Sequence, residues 1–179
     1  MEIYTDVDGE VIFKKYSPIG ELSEFAAQYA EVLVKGTDIP VMICDRDHCI
    51  AAAGVSKKEV LERRITQPLE EIMEQRRAMT FSNENSPEAL EGVKKGMLVG
   101  IPIINAGDVC GAVVLLSDDS GAKAEEADVK LVSVAAEFLG KQLDDIFQDI
   151  PPHAVKIGMV ASGDLIEVIA EKLKKYQAV

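Results

Sequence analysis

The sequence predicts an α/β (α+β) fold: a central antiparallel sheet flanked by helices, followed by a C-terminal αβα appendage. Two apolar runs, Met97 to Ile104 and Val109 to Leu116, flank Asn105-Ala106-Gly107-Asp108 in the most apolar stretch of the chain. Both runs are rich in β-branched residues and the Asn and Gly between them tolerate positive φ, so the stretch reads as a hairpin. Neither run alternates cleanly, which means that both faces are covered and places the hairpin in the middle of a sheet with helices on at least one side. Two longer segments, from Ser17 to Gly36 and from about Ala122 to Phe147, carry apolar residues at helical spacing. Gly100, Gly111 and Ala112 remove bulk from the hairpin, which suits close helix packing first and a ligand cavity second.

At 179 residues and 47% hydrophobic the chain holds about one domain with a sizeable core and room for a small appendage. The formal charge of −12 repels a polyanion, so the composition argues against nucleic-acid binding. No apolar run approaches the roughly 20 residues that cross a bilayer, no signal-peptide pattern opens the chain, and three cysteines form no disulfide framework. The expected location is the cytoplasm, without membrane attachment.

In chain order, Glu2 to Tyr16 alternates as a first hairpin turning at Asp8-Gly9. Two strands alone are marginal in water, so this hairpin requires partners. Ser17-Pro18 opens a helix that Gly36 is expected to stop, and its Ile19, Leu22, Ala26, Tyr29 and Leu33 form a heptad seam. Val41 to Cys44 and Cys49 to Ala53 read as strands around the turn Asp45-Arg46-Asp47-His48. Ser56-Lys57-Lys58-Glu59 has the pattern of a capping box, and Pro68 divides the helical pieces that follow. Ala78 to Phe81 suits a short strand, and Asn83 to Lys95 reads as a loop or a broken helix. In the long second helix Val129, Val132, Ala136, Leu139, Leu143 and Ile146 repeat the heptad seam, and Leu131, Ala135 and Phe138 add a strip beside it. Packing within the chain and a dimeric four-helix bundle are the two uses of such seams, and the extra strip favours a homo-oligomer.

The chemistry-bearing residues have plain readings. Cys44, His48, Cys49 and Cys110 number four potential zinc ligands but lack paired-cysteine spacing, and the cysteines read as buried or edge thiols, so no metal site is expected. Asp45-Arg46-Asp47 are turn residues, Ser162-Gly163-Asp164 is an N-cap, and the doublets Lys14-Lys15, Arg63-Arg64, Arg76-Arg77 and Lys94-Lys95 are scattered solvated charges. No catalytic residue and no cofactor is expected.

The order of elements resembles a GAF domain. More specifically, EIYTDVDGEVIFKKYSPIGELSEFAAQYAEVL at Glu2 to Leu33, VMICDRDHCIAAAGVSKKEVL at Val41 to Leu61 and VGIPIINAGDVCGAVVLLSDD at Val99 to Asp119 resemble the stage V sporulation protein T family. The resemblance implies a transcription regulator of spore-forming bacteria that joins an AbrB-like DNA-binding domain to a GAF sensor domain. Only the last hairpin of the AbrB-like domain is matched, at residues 1–16, so the family's phosphate-contacting basic residues are missing and this truncated chain is not expected to bind DNA. Residues 17–147 correspond to the sensor domain. Gln142 to Val179 is similar instead to an internal segment of hydroxymethylpyrimidine/phosphomethylpyrimidine kinases. Its Pro151-Pro152 break, the apolar run Ala154 to Val160 and a helix with Leu165, Ile166, Ile169 and Leu173 on one face make one αβα piece over residues 148–179 without nucleotide-binding or catalytic groups. Together these resemblances imply a sensor domain fused to a kinase fragment, an engineered chimera, with a natural fusion as the alternative.

The GAF resemblance implies a pocket for a small-molecule effector between the sheet and its covering helices. From strand position, its candidate lining is Met42, Cys44, Ala52, Phe81, Val99, Ile101 and Val114. The alternative function is a purely structural oligomerisation module, with Leu22, Tyr29, Leu33, Val132, Leu139 and Leu143 as candidate interface residues. On that reading Leu139→Asp releases monomers.

Overall fold

The computed structural model describes residues 2–5, 11–14, 23–118 and 121–149, with side chains described for 23–118 and 121–142. The chain divides into two compact units, Met1–Lys141 and Gln142–Val179. The expected strand Ala154 to Val160 and its helix lie outside the described residues, as do the Asp8-Gly9 turn and Ser17-Pro18.

Strands β1 (Glu2–Thr5) and β2 (Val11–Lys14) pair antiparallel in a sheet of their own. A second, five-stranded sheet is built from β3 (Val41–Cys44), β4 (Cys49–Ala53), β5 (Met79–Thr80), β6 (Met97–Asn105) and β7 (Asp108–Leu116) in the order β4-β3-β7-β6-β5. All its pairings are antiparallel. The apolar hairpin therefore supplies the middle of the sheet, and every residue of β7 from Gly111 onward is buried. Its turn is tighter than the four residues marked in the sequence. Asn105 and Asp108 already pair, leaving Ala106 and Gly107 at φ 48° and 88°, the two left-handed positions of a type I′ turn.

The α1 helix (Ser23–Thr37) and, as far as Lys141, the α4 helix (Glu126–Asp149) cover one face of this sheet. Gly36 does not stop α1, contrary to expectation. It lies inside the helix because the Leu131 side chain of α4 occupies the space a Cβ would need, 2.8 Å away. The helix ends one residue later, where the Thr37 hydroxyl donates to the Leu33 carbonyl at 3.0 Å and Asp38 takes φ 54°. At the other end of the contact, α4 approaches the sheet so closely at Gly140 that a Cβ there would collide with the Ile104 carbonyl oxygen of β6. Ala26, Ala30 and Leu33 from α1 and Val132, Ala136 and Leu139 from α4 are buried on this side.

The opposite face carries α2 (Lys57–Val60) and α3 (Gln67–Gln75). Ser56 is the N-cap of α2 as the sequence indicates, but its side chain makes no capping hydrogen bond, and the helix is a single turn. Pro68 sits in the first turn of α3, where its missing N–H costs nothing. Leu69, Ile72 and Met73 of α3 are buried, and Ile72 packs where Gly100 leaves room on β6. The segment from Asn83 to Lys95 is more ordered than the loop its composition suggests. After a 3-10 turn at Asn83–Asn85, the bridges Ile65↔Leu90 and Glu88↔Gly96 fix it, with Ala89 and Leu90 in the core. Among the described residues no helix is long and apolar enough to cross a membrane.

Candidate functional site

Side-chain alternation along the strands sorts the candidate pocket residues into two groups. Met42 pairs with Ala52 and Val114, and Val114 with Gly100, which faces Ile72 of α3. Met42, Cys44, Ala52 and Val114 therefore share the α3 face, where they belong to one buried cluster against which Phe81 packs. Val99 and Ile101 flank Gly100 and so point to the α1 and α4 face. One pocket cannot be lined by both groups with the sheet between them. The sequence showed which residues were strand residues but not their parity, because both faces of these strands are apolar.

The two cysteines in this region are held away from chemistry. The Cys44 thiol reaches the Ala112 carbonyl oxygen at 3.6 Å and the Cys49 thiol that of Ala51 at 3.5 Å. Burial pushes the Cys44 thiol up and raises that of Cys49 from 9.0 to about 12, so neither forms a thiolate near neutral pH. Cys110 is half-buried. A chromogenic thiol reagent at pH 8 is accordingly expected to modify Cys110 alone in the folded protein and all three cysteines in denaturant. Above pH 9 the unfolded chain gives up the Cys44 and Cys49 protons while the folded chain keeps them. Stability should therefore fall as pH rises from about 9 to about 12, which denaturant titrations at several pH values will show. Among the described residues no three of His, Cys, Asp and Glu converge as metal ligands.

Open clefts lie elsewhere. The larger, of about 430 Å³, is lined by Arg46 and Asp47 of the β3–β4 turn, Glu70, Met73, Glu74 and Arg76 of α3 and its cap, and Asp108 and Val109 at the start of β7. Arg76 caps α3 in the left-handed conformation and donates from Nη1 to the Gly107 carbonyl at 2.7 Å, tying the helix end to the β6–β7 turn. The Asp45 carboxylate accepts from the backbone N–H groups of Asp47 and His48, both at 2.7 Å, and so fixes the third wall. Among the described residues no ion pair joins Arg46 or Arg76 to Glu70, Glu74 or Asp108, so charges of both signs face the cleft. A second cleft, of about 320 Å³, is lined by Glu59, Arg63, Gly92, Val93, Lys94 and Lys95. None of the sequence-chosen pocket residues lines either one. The walls come from loops and helix ends far apart in sequence, and their only prior signal was the scattered basic doublets and the acidic turn.

The candidate interface residues divide in a similar way. Leu33, Val132 and Leu139 are buried at 3%, 0% and 0% exposure within the single chain, and so are core residues, not a seam between subunits. Leu22 and the side chain of Leu143 lie outside the described residues. Tyr29 does sit on the outer side of the helices, stacked on Phe138 at 5.4 Å, with Phe25 4.8 Å from Tyr29. Beside this aromatic group Val32, Leu131, Val134 and Phe138 are left 64%, 40%, 66% and 39% exposed.

An antiparallel five-stranded sheet with a helix pair on one face and short helices on the other is the GAF-domain fold. The GAF domain of a phosphoenolpyruvate-protein phosphotransferase from Coxiella burnetii superposes with a TM-score of 0.56 at 18% identity, covering 72% of this chain and 85% of that one. Residues 21–144 match the model of the family described as stage V sporulation protein T C-terminal, transcription factor, and the chain belongs to that family. It is 44% identical over 147 residues to stage V sporulation protein T of Bacillus subtilis (strain 168), covering 80% of this chain and 81% of the relative. A further similarity, 41% identity over 44 residues, is to the hydroxymethylpyrimidine/phosphomethylpyrimidine kinase of Escherichia coli (strain K12) and spans 25% of this chain and 16% of the kinase. The chain thus carries a regulatory domain of a sporulation transcription factor, and it is not an enzyme.

Proposed function

We propose that this regulatory domain assembles the transcription factor, docking the outer side of α1 and α4 on the same surface of a second copy. The observation that carries this reading is the exposed strip of Val32, Leu131, Val134 and Phe138 with its stacked aromatics. Residues 25, 29 and 32 on α1 and 131, 134 and 138 on α4 follow the spacing of one helical face, and two such helices from each copy form a four-helix bundle. The β1–β2 hairpin supports the same conclusion, since it pairs outside the five-stranded sheet and two strands alone are marginal in water. Val134→Asp tests it. Val134 is exposed in the single chain, so the fold should keep its melting temperature while self-association weakens about 100-fold, or roughly 3 kcal/mol. Sedimentation velocity reads the change, and a wild-type chain that remains monomeric at about 100 μM ends the proposal.

Small-molecule sensing is the second reading, favoured by the cleft of about 430 Å³ in which charges of both signs surround Met73 and Val109. A site of this size takes a small polar effector. The match to a family described as a transcription factor supports action in the cytoplasm, and the short kinase-like similarity supports a chain joined from two sources.

A further inference from the structure

We propose that the second cleft, between Arg63 and the loop from Gly92 to Lys95, binds the phosphate or diphosphate group of a small molecule. The fold brings together basic residues that are 31 and 32 positions apart in the chain, Arg63 from the segment after α2 and Lys94 and Lys95 from the segment before β6. Backbone pairing makes this convergence a property of the fold. The Cys49 N–H donates to the Arg63 carbonyl at 2.9 Å, and the Glu91 N–H donates to the Arg64 carbonyl at 2.9 Å. The Ala89 N–H donates to the Lys95 carbonyl at 3.3 Å, so both walls are held by main-chain bonds.

The charges in this cleft are not neutralised by the protein. Arg63 donates from Nε to the Glu59 carbonyl oxygen at 3.2 Å, which orients its guanidinium and leaves the remaining N–H groups for another acceptor. Among the described residues neither Arg63, Lys94 nor Lys95 has a carboxylate within ion-pair distance. Glu59 is the one acidic residue of the lining, so the cleft is locally positive in a chain of net charge −12. Backbone donors add to it. In the loop, the Val93 and Lys95 N–H groups are used by the Leu90 and Val93 carbonyls, whereas those of Gly92 and Lys94 have no acceptor among the described residues. Gly92 stands at φ 72° with open space where a side chain would be. Free main-chain N–H groups in a turn with a left-handed residue, combined with a guanidinium and two ammonium groups, are the donors that phosphate oxygens take.

The acidic surround selects against a long polyanion and in favour of a small one, because a duplex laid across this face meets the field of the whole chain while a diphosphate meets only the cleft. The site is separate from the larger cleft at the end of the sheet and from the outer strip of α1 and α4. It does not depend on either reading of the domain's function.

The probe is sodium pyrophosphate, added to the full chain and compared with sodium chloride at equal ionic strength. Saturable movement of the Gly92 and Lys94 amide resonances, absent with chloride, is expected. Lys94→Gln/Lys95→Gln should weaken the interaction at least 10-fold and leave the unliganded melting temperature unchanged. Amide shifts that chloride reproduces, or that persist undiminished in a folded double variant, overturn the proposal. So does a short DNA duplex that binds through these lysines when pyrophosphate does not. If the double variant fails to fold, the wild-type amide shifts alone decide.

Discussion

Leu139→Asp is expected to unfold the domain and not to split an oligomer. Its heptad position suggests an interface residue, yet Leu139 is fully buried between α4 and the sheet, beside Val132 and Ala136. Removing its side chain costs about 2–5 kcal/mol from lost transfer and the cavity left behind. Placing a carboxylate there adds the desolvation of a charge with no partner, for a total of roughly 5 kcal/mol or more. Domains of this size have about 5–15 kcal/mol in all. The variant should therefore show lost near-ultraviolet circular dichroism and no cooperative melt, whereas Val134→Asp, one turn away on the exposed side, should melt as the wild type does. A folded, monomeric Leu139→Asp protein would restore Leu139 to the interface and remove the assignment of faces made above.

The contrast between these residues shows what the sequence contained and where it stopped. A spacing of three and four marks one side of a helix, but the same spacing serves a helix lying on a sheet and a helix lying on another helix. In α4 both sides are apolar, with Val132, Ala136 and Leu139 against the sheet and Leu131, Val134 and Phe138 outside, so periodicity alone could not assign the core to the right one. The middle of the sheet was legible because β6 and β7 are apolar on both faces and joined by a turn with only one compatible chemistry. That same two-sided apolarity hid the parity separating Val99 and Ile101 from Met42 and Val114. Gly36 illustrates a different limit. A glycine near the end of a helix signals a stop, and nothing local reports that it is needed for the approach of Leu131 from a helix about a hundred residues later. The clefts were the least legible feature, since Arg63 and Lys94 gain their meaning only when Arg64 and Glu91 pair.

Gly140→Ala should destabilise the domain by about 3 kcal/mol, against the trend for glycine inside a helix. In an unconstrained helix the substitution stabilises by roughly 1 kcal/mol, because alanine has less backbone freedom to lose. Here the added Cβ would collide with the Ile104 carbonyl oxygen and stand 3.2 Å from its carbon. These are backbone atoms of β6, a strand paired along its length with β7, so they cannot step aside as the end of a side chain can. The helix must instead lift from the sheet, opening gaps around Val132, Ala136 and Leu139, and packed interiors lose stability steeply when contacts open. Gly36→Ala is the control. Its Cβ would meet only the Leu131 Cδ2 at 2.8 Å, the flexible end of a side chain that is 40% exposed, so rotation of Leu131 relieves the contact and the helix gain offsets most of the cost. Urea unfolding of the two variants should therefore rank Gly140→Ala well below Gly36→Ala, with Gly36→Ala within about 1 kcal/mol of the wild type. Equal midpoints for the two, or a Gly140→Ala protein more stable than the wild type, would mean that α4 is not seated on β6 at this point.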